Sequence, residues 1–199
     1  MSLSHFQTEF DKIMNRDYFL DAVHPMRKEA FSKFLNSGLP TNKWEDWRFT
    51  NLSKLKQKKY RISETQDAPA GDVDLSSFEI DGVDTVVIYN GHYQEALSSV
   101  PSGIQLLSGI EYLERNNWEF ETAERSPFDL LNTAFMDCGM SFIVDPNINV
   151  ETPVRILFIS NGENNIMANP RMYLDVGDSA AVTFIEHHVG NAASFFQNA

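Results

Sequence analysis

A chain of 199 residues can bury a sizeable apolar core, in one medium domain or two small ones. Hydrophobic residues make up 42%, with 15 Phe among them, a folding composition that excludes a disordered chain. The formal charge of −12 repels phosphate backbones and anionic lipid, which argues against broad nucleic-acid or membrane-surface binding.

No apolar run reaches the about 18–20 residues that a membrane span needs. The N-terminus, Met1 to Phe6, has neither the basic nor the apolar region of a secretory signal. A single cysteine, Cys138, excludes an intrachain disulfide and fits a reducing compartment. The expectation is a soluble, cytoplasmic protein.

Helices come first. Phe6, Phe10 and Ile13 recur at four- and three-residue steps and share one helix face. In a second helix Pro25 suits the first turn, Ala30, Phe31, Phe34 and Leu35 form the buried stripe, and Gly38 serves as a left-handed C-terminal cap. Asn42, with Glu45 three residues on, gives a capping-box-like start to a short turn. Trp44, Trp47 and Phe49 are costly to leave in water together and are expected to plug the second helix onto the next part of the chain. If Trp47 is core, Trp47→Ala costs about 3–5 kcal/mol.

From Asn42 to Arg61 seven basic residues (Lys43, Arg48, Lys54, Lys56, Lys58, Lys59, Arg61) face two acids, a local balance of +5 against −17 elsewhere. Such a run usually faces water as a solvated surface; the alternative is a docking patch for an acidic partner or nucleic acid. Residues 62–84 read as a polar connection. Thr85–Tyr89 is a β-branched strand closing on Asn90-Gly91. Leu97–Val100 and Ile104–Leu107 continue as short strands, and Ile110–Leu113 has weak helical character.

Ser126-Pro127-Phe128-Asp129 is a clean helix start, with Leu130, Leu131, Ala134 and Phe135 as its buried stripe and Gly139 as its stop. Cys138, near that stripe, reads as a small core residue rather than a ligand or nucleophile. Beyond Gly139 the chain turns to strands at Phe142–Val144, Val154–Ile159, Met172–Val176 and Val182–Ile185. Alternation places Met172, Leu174 and Val176 on one face. Closely spaced short strands suit a sandwich, a barrel or a solenoid, and periodicity does not choose among them.

Chemistry-bearing motifs are few. No phosphate-binding glycine loop and no C-x-x-C occurs. In a strand, Glu186 and His188 project to one face and His187 to the other. A Glu/His pair can ligate a first-row metal only with help from elsewhere, so one packed, hydrogen-bonded imidazole and one facing water is the plainer reading. No catalytic residue and no metal ligand is assigned, and any cofactor-binding residue is left unknown.

Two blocks carry a resemblance. Gly38-Leu39-Pro40-Thr41, Lys43, Glu45, Trp47-Arg48-Phe49-Thr50 and Leu52 form the first; Pro170 to Gly190, with Leu174, Val176, Ala180, Thr183 and Ile185-Glu186-His187, forms the second. Together, and in this order, they resemble the SufB/SufD family of iron–sulfur cluster assembly proteins, its SufD branch in particular. The resemblance implies an α+β chain: an N-terminal helical domain followed by a right-handed parallel β-helix. It sets the divisions at 1–65 (helical), 66–125 (mixed strand and helix) and 126–199 (first coils of the β-helix, where the chain stops early).

It further implies a non-catalytic scaffold that acts with SufB-like and SufC-like subunits, the latter an ATPase, in a complex that handles iron–sulfur clusters. No cofactor is expected on this portion, nor a nucleic-acid or membrane partner; a homodimer stays open. Two other readings stand beside it. One is a self-contained carbohydrate-active β-helix enzyme, resting on exposed acids such as Asp175 and Asp178. The other is an interaction module anchored by Trp44 and Trp47.

Overall fold

The computed structural model describes residues 3–16, 21–68, 73–116, 126–136, 139–161, 165–190 and 195–197. Its first layer is aromatic. Helix α1 (Ser4–Met14) buries Phe6, Phe10 and Ile13, as their spacing predicts. Helix α2 (His24–Ser37) has Pro25 in its first turn and buries Ala30, Phe31 and Phe34. Phe10 stacks on Phe31 at 4.1 Å, while the edge of Phe6 meets Phe34 at 5.3 Å.

Leu35, expected in the same stripe, is 38% exposed, because Phe31 and Phe34 already fill the contact with the neighbouring helices. Gly38 does have a positive φ of 66°, but its ψ of −176° is extended, so the chain leaves α2 straight rather than through a left-handed turn. The next turn, Glu45–Trp47, starts later than the Asn42 capping pattern predicts. Trp44 holds the N-cap position there, with no side-chain cap. Helix α3 (Ser53–Gln57) comes next, and then strand β1 (Arg61–Ile62).

Strand β2 (Asp84–Tyr89) turns through Asn90 (φ 48°) and Gly91 (φ 90°) into β3 (His92–Tyr93). Both turn residues lie at positive φ, which an Asn-Gly pair tolerates in a tight hairpin. The strand expected at Leu97–Val100 does not form. Glu95–Leu97 is a 3₁₀ turn, and the Ser98 and Ser99 hydroxyls take the Val87 and Thr85 amides at 2.9 and 3.1 Å. Side chains there satisfy the edge of β2 in place of a ladder.

Strand β4 (Ile104–Ser108) leads into α4 (Gly109–Arg115), which a Ser108/Glu111 capping box starts. Helix α5 (Pro127–Phe135) opens with the matching Ser126/Asp129 box. Phe135 meets Phe6, Phe10 and Phe31 edge-on at 5.8 to 6.3 Å, joining α5 to the α1/α2 core. The same cluster takes in Tyr60, Ile62 and Met167 and so ties the helices to the sheets.

Gly139 does not stop α5, which ends at Phe135; it begins strand β5 (Gly139–Val144). The remaining strands are β6 (Val154–Ser160), β7 (Ile166–Ala168), β8 (Arg171–Val176), β9 (Phe184–Gly190) and β10 (Phe195–Gln197). The run expected at Val182–Ile185 is the start of β9, shifted and lengthened, while β7 and β10 are additions to the expected strands.

These strands form three sheets, in the orders β1-β7-β10, β3-β2-β6-β9 and β4-β5-β8. β5, β6 and β7 visit the sheets in turn, and β8, β9 and β10 visit them again in the same order. Each pairs in parallel with its counterpart: Phe142 with Leu174, Phe158 with His188 and Met167 with Phe196. β1 and β2 add parallel neighbours in two of the sheets, and β4 closes the third in antiparallel sense. The chain is therefore α+β.

Between the sheets lies a second core of Val86, Ile88, Met140, Phe142, Val154, Ile156 and Phe158. The Met172–Leu174–Val176 face stacks on Met140, Phe142 and Val144. The alternation holds, but Leu174 and Val176 are 52% and 42% exposed, because β8 has no described strand on its far side.

Candidate functional site

Among the described residues, the segment between α2 and α3 makes the most exposed aromatic surface. Phe49 is 92% exposed and Trp44 40%, so neither plugs α2 as expected. Trp47 is half-buried, with its ring 5.0 Å from that of Phe128. The Arg48 guanidinium lies 5.4 Å from the Phe49 ring centre, within cation–π range.

Three contacts hold the backbone here. Thr41 Oγ1 accepts the Lys43 N–H, Asn51 Oδ1 accepts the Ser53 N–H at 2.9 Å, and Lys56 Nζ donates to the Pro40 carbonyl at 3.0 Å. They frame a surface hollow of about 430 Å³ lined by Thr41, Asn42, Arg48, Phe49 and Lys56.

On β9, Glu186 and His188 share a face and His187 takes the other, as the strand period requires. Glu186 lies opposite Ile156 and His188 opposite Phe158, so both stand on the inter-sheet row. The His188 ring stacks on Phe158 at 4.6 Å, and its Nε2 bonds Glu186. His187 lies opposite Leu157, and its Nδ1 has no hydrogen-bond partner among the described residues.

The pair, Glu186 and His188, is exposed and lies on the opposite face of the strand from the second imidazole. Among the described residues no third His, Cys, Asp or Glu joins it in a metal-holding group. Cys138 lies outside the described residues. Asp175 is exposed on β8, paired with Ile143, and Asp178 is exposed in the turn beyond.

Sequence reasoning missed one constellation. Ser63 Oγ lies 3.0 Å from His92 Nε2, although 29 residues separate them in the chain. The hydroxyl is buried and donates its only hydrogen to the Asn90 carbonyl at 2.6 Å. With that hydrogen so used, the Ser63 oxygen accepts from His92 Nε2 in the tautomer that carries a proton there, which ties Ser63 to the β2–β3 hairpin.

Beside it, Asp67 grips Arg61 through two 2.6 Å bonds. The Arg61 hydrogen bonds hold the Asp67 carboxyl below the usual range, with the Glu64 amide adding to the effect. No sequence signal short of the fold brings these residues together.

A cavity of about 310 Å³ lies between the β2–β3 hairpin, α4 and the starts of β5 and β8. His92, Tyr93, Leu113, Met140 and Tyr173 line it, with Arg171 at one wall. Arg171 is spent on its own support, donating from Nε to Asn132 and from Nη2 to Thr133, each at 2.8 Å. Burial pushes the Tyr173 phenol up, so it stays neutral. The cavity is mostly apolar, with His92, Tyr173 and Arg171 among its polar lining.

Comparison with known proteins places the chain in a family. The SufBD protein N-terminal region matches residues 3–156. The iron–sulfur cluster assembly protein SufD of Escherichia coli (strain K12) is 26% identical over 181 residues, covering 88% of this chain and 41% of its own length. An iron–sulfur cluster assembly SufBD family protein of Synechocystis sp. is 25% identical over 186 residues, covering 84% of this chain and 40% of its own. The chain thus spans about two-fifths of the length of the curated relatives it matches. The two motif blocks, the helical start and the repeated strand order converge, and the chain belongs to the SufBD family.

Proposed function

We propose that this chain is part of a scaffold subunit for iron–sulfur cluster assembly, working with a SufB-like partner and a SufC-like ATPase. The match to the SufBD N-terminal region over residues 3–156 carries this reading. Iron and sulfide are cargo of the assembled complex. This portion binds no cofactor of its own and catalyses nothing; the energy comes from the ATPase. A cytoplasmic location accords with the reading, and no described helix is long and apolar enough to cross a membrane.

In structural terms, β5–β6–β7 and β8–β9–β10 are the first turns of a right-handed parallel β-helix. Residues 1–65 form the helical domain, 66–125 the mixed connection and 126–199 the start of the coil. The exposed inward row of Leu174 and Val176 supports the view that a further turn covers β8, since a stacked repeat buries its face only against the next one.

Co-expression of the full reading frame with SufB-like and SufC-like subunits tests the functional reading. A stoichiometric complex that survives size exclusion is expected. Three proteins that elute separately would contradict it.

A further inference from the structure

We propose that the aromatic–cationic surface around Phe49 docks an acidic segment of a partner protein, one in which carboxylates flank an apolar side chain. Several independent features converge on it. Phe49 is held almost wholly in water at 92% exposure, beside the partly exposed Trp44. Burying such a ring removes on the order of 150–250 Å² from solvent, the kind of anchor that dominates binding energy. Arg48 is poised over that ring, so a carboxylate reaching the guanidinium would lie next to the apolar contact.

The hollow beside it is lined by Thr41, Asn42 and Lys56, and the Asn51, Thr41 and Lys56 bonds hold its backbone in place. Little order has to be created on binding, which lowers the entropic cost.

Charge selects the occupant. Lys43, Arg48, Lys54 and Lys59 are all exposed in a stretch that carries +5, while the rest of the chain carries −17. The net positive charge that this segment carries favours an anionic group there. Nucleic acid fits less well, because a long polyanion would also meet the negative remainder of the molecule. A second copy fits less well too. Its acidic surface on this patch would be a head-to-tail contact, which closes only as a ring or runs on as a filament. The inference does not depend on the scaffold reading, and either can fail alone.

The experiment is fluorescence anisotropy with the 199-residue chain and a set of short labelled peptides. Each peptide carries Asp and Glu around one Leu, Phe or Trp. Asn/Gln analogues and an oligouridine strand serve as competitors, and sedimentation velocity tracks self-association. We expect binding by at least one acidic peptide, loss of it with rising salt, and weakening by about tenfold in both Phe49→Ala and Arg48→Gln. Amide shifts should fall within residues 41–56. Thermal melts of both variants should match the parent, since both side chains are exposed.

The proposal is overturned if no acidic peptide binds, if the Asn/Gln analogue binds equally well, or if Phe49→Ala leaves binding unchanged. Preference for oligouridine, or self-association abolished by Phe49→Ala, would overturn it in favour of those partners.

Discussion

Arg27 places a guanidinium in the interior, fully buried on α2, where its Nη2 donates to the Met136 carbonyl just past the end of α5. A buried cation stands only where its hydrogen bonds replace water. Arg27→Ala removes both the bond and a large buried volume, so a loss of about 3–5 kcal/mol in urea unfolding is expected. Arg27→Met keeps most of the volume without the charge and should lose clearly less.

The aromatic segment divides in the same manner. Trp47→Ala loses only a half-buried contact with Phe128, about 1–2 kcal/mol rather than the core value. Phe49→Ala should stay within about 0.5 kcal/mol of the parent. A chemical denaturation series on both separates them.

Asp67 makes the stability of this region pH-dependent. Its folded pKa is depressed, so it stabilises the fold above the unfolded value of about 3.9. That contribution disappears as pH falls through the lower, folded value. Arg61 is partly exposed, so solvent screening limits the pair to about 1 kcal/mol at neutral pH. Asp67→Asn should therefore cost about that much at pH 7 and nearly nothing in strong acid, as melts across the acid range would show.

At the level of elements, glycine at a strand pairing site decides how closely two turns can stack. Gly139 pairs with Arg171, and a Cβ there would fall onto the Arg171 carbonyl oxygen, far inside contact distance. Gly190 stands in the same relation to Ser160. Gly139→Ala must push β5 away from β8, and a loss of about 1–3 kcal/mol is expected. Faster amide exchange in β8 than in β2 would locate the damage.

Local signals are legible where one residue's chemistry decides the outcome. Ser126 with Pro127 and Asp129 announces α5, and Asn90-Gly91 announces the hairpin. They are illegible where a distant partner decides. Ser98 and Ser99 resemble the end of a strand until β2 takes their hydroxyls. Ile166–Ala168 is too short to show a period, and only its neighbours β1 and β10 make it a strand. Gly139 reads as a helix stop because its true constraint, Arg171, lies 32 positions on in the chain.

Of the candidate site, the strand period correctly separates Glu186 and His188 from His187. The exposure of Phe49 has no such signal, because burial of an aromatic cluster depends on what packs against it.

For the molecule as a whole, the proposed scaffold role rests on its architecture. The helices share an aromatic core with α5, and two passes through three sheets stack in register. The SufBD family gives that architecture its context, and the exposed basic segment gives it a surface for a partner.

Parallel, in-register stacking of β5 on β8 is the claim on which the rest depends. It places the Cα atoms of Ile143 and Asp175 about 4.8 Å apart, inside the span of a disulfide, and those of Ile143 and Tyr173 about 8 Å apart, outside it. The measurement is oxidative cross-linking of two double variants in a Cys138→Ser background, Ile143→Cys/Asp175→Cys and Ile143→Cys/Tyr173→Cys. The account predicts rapid bond formation in the first and none in the second. Bond formation only in the second, or in neither, would contradict it.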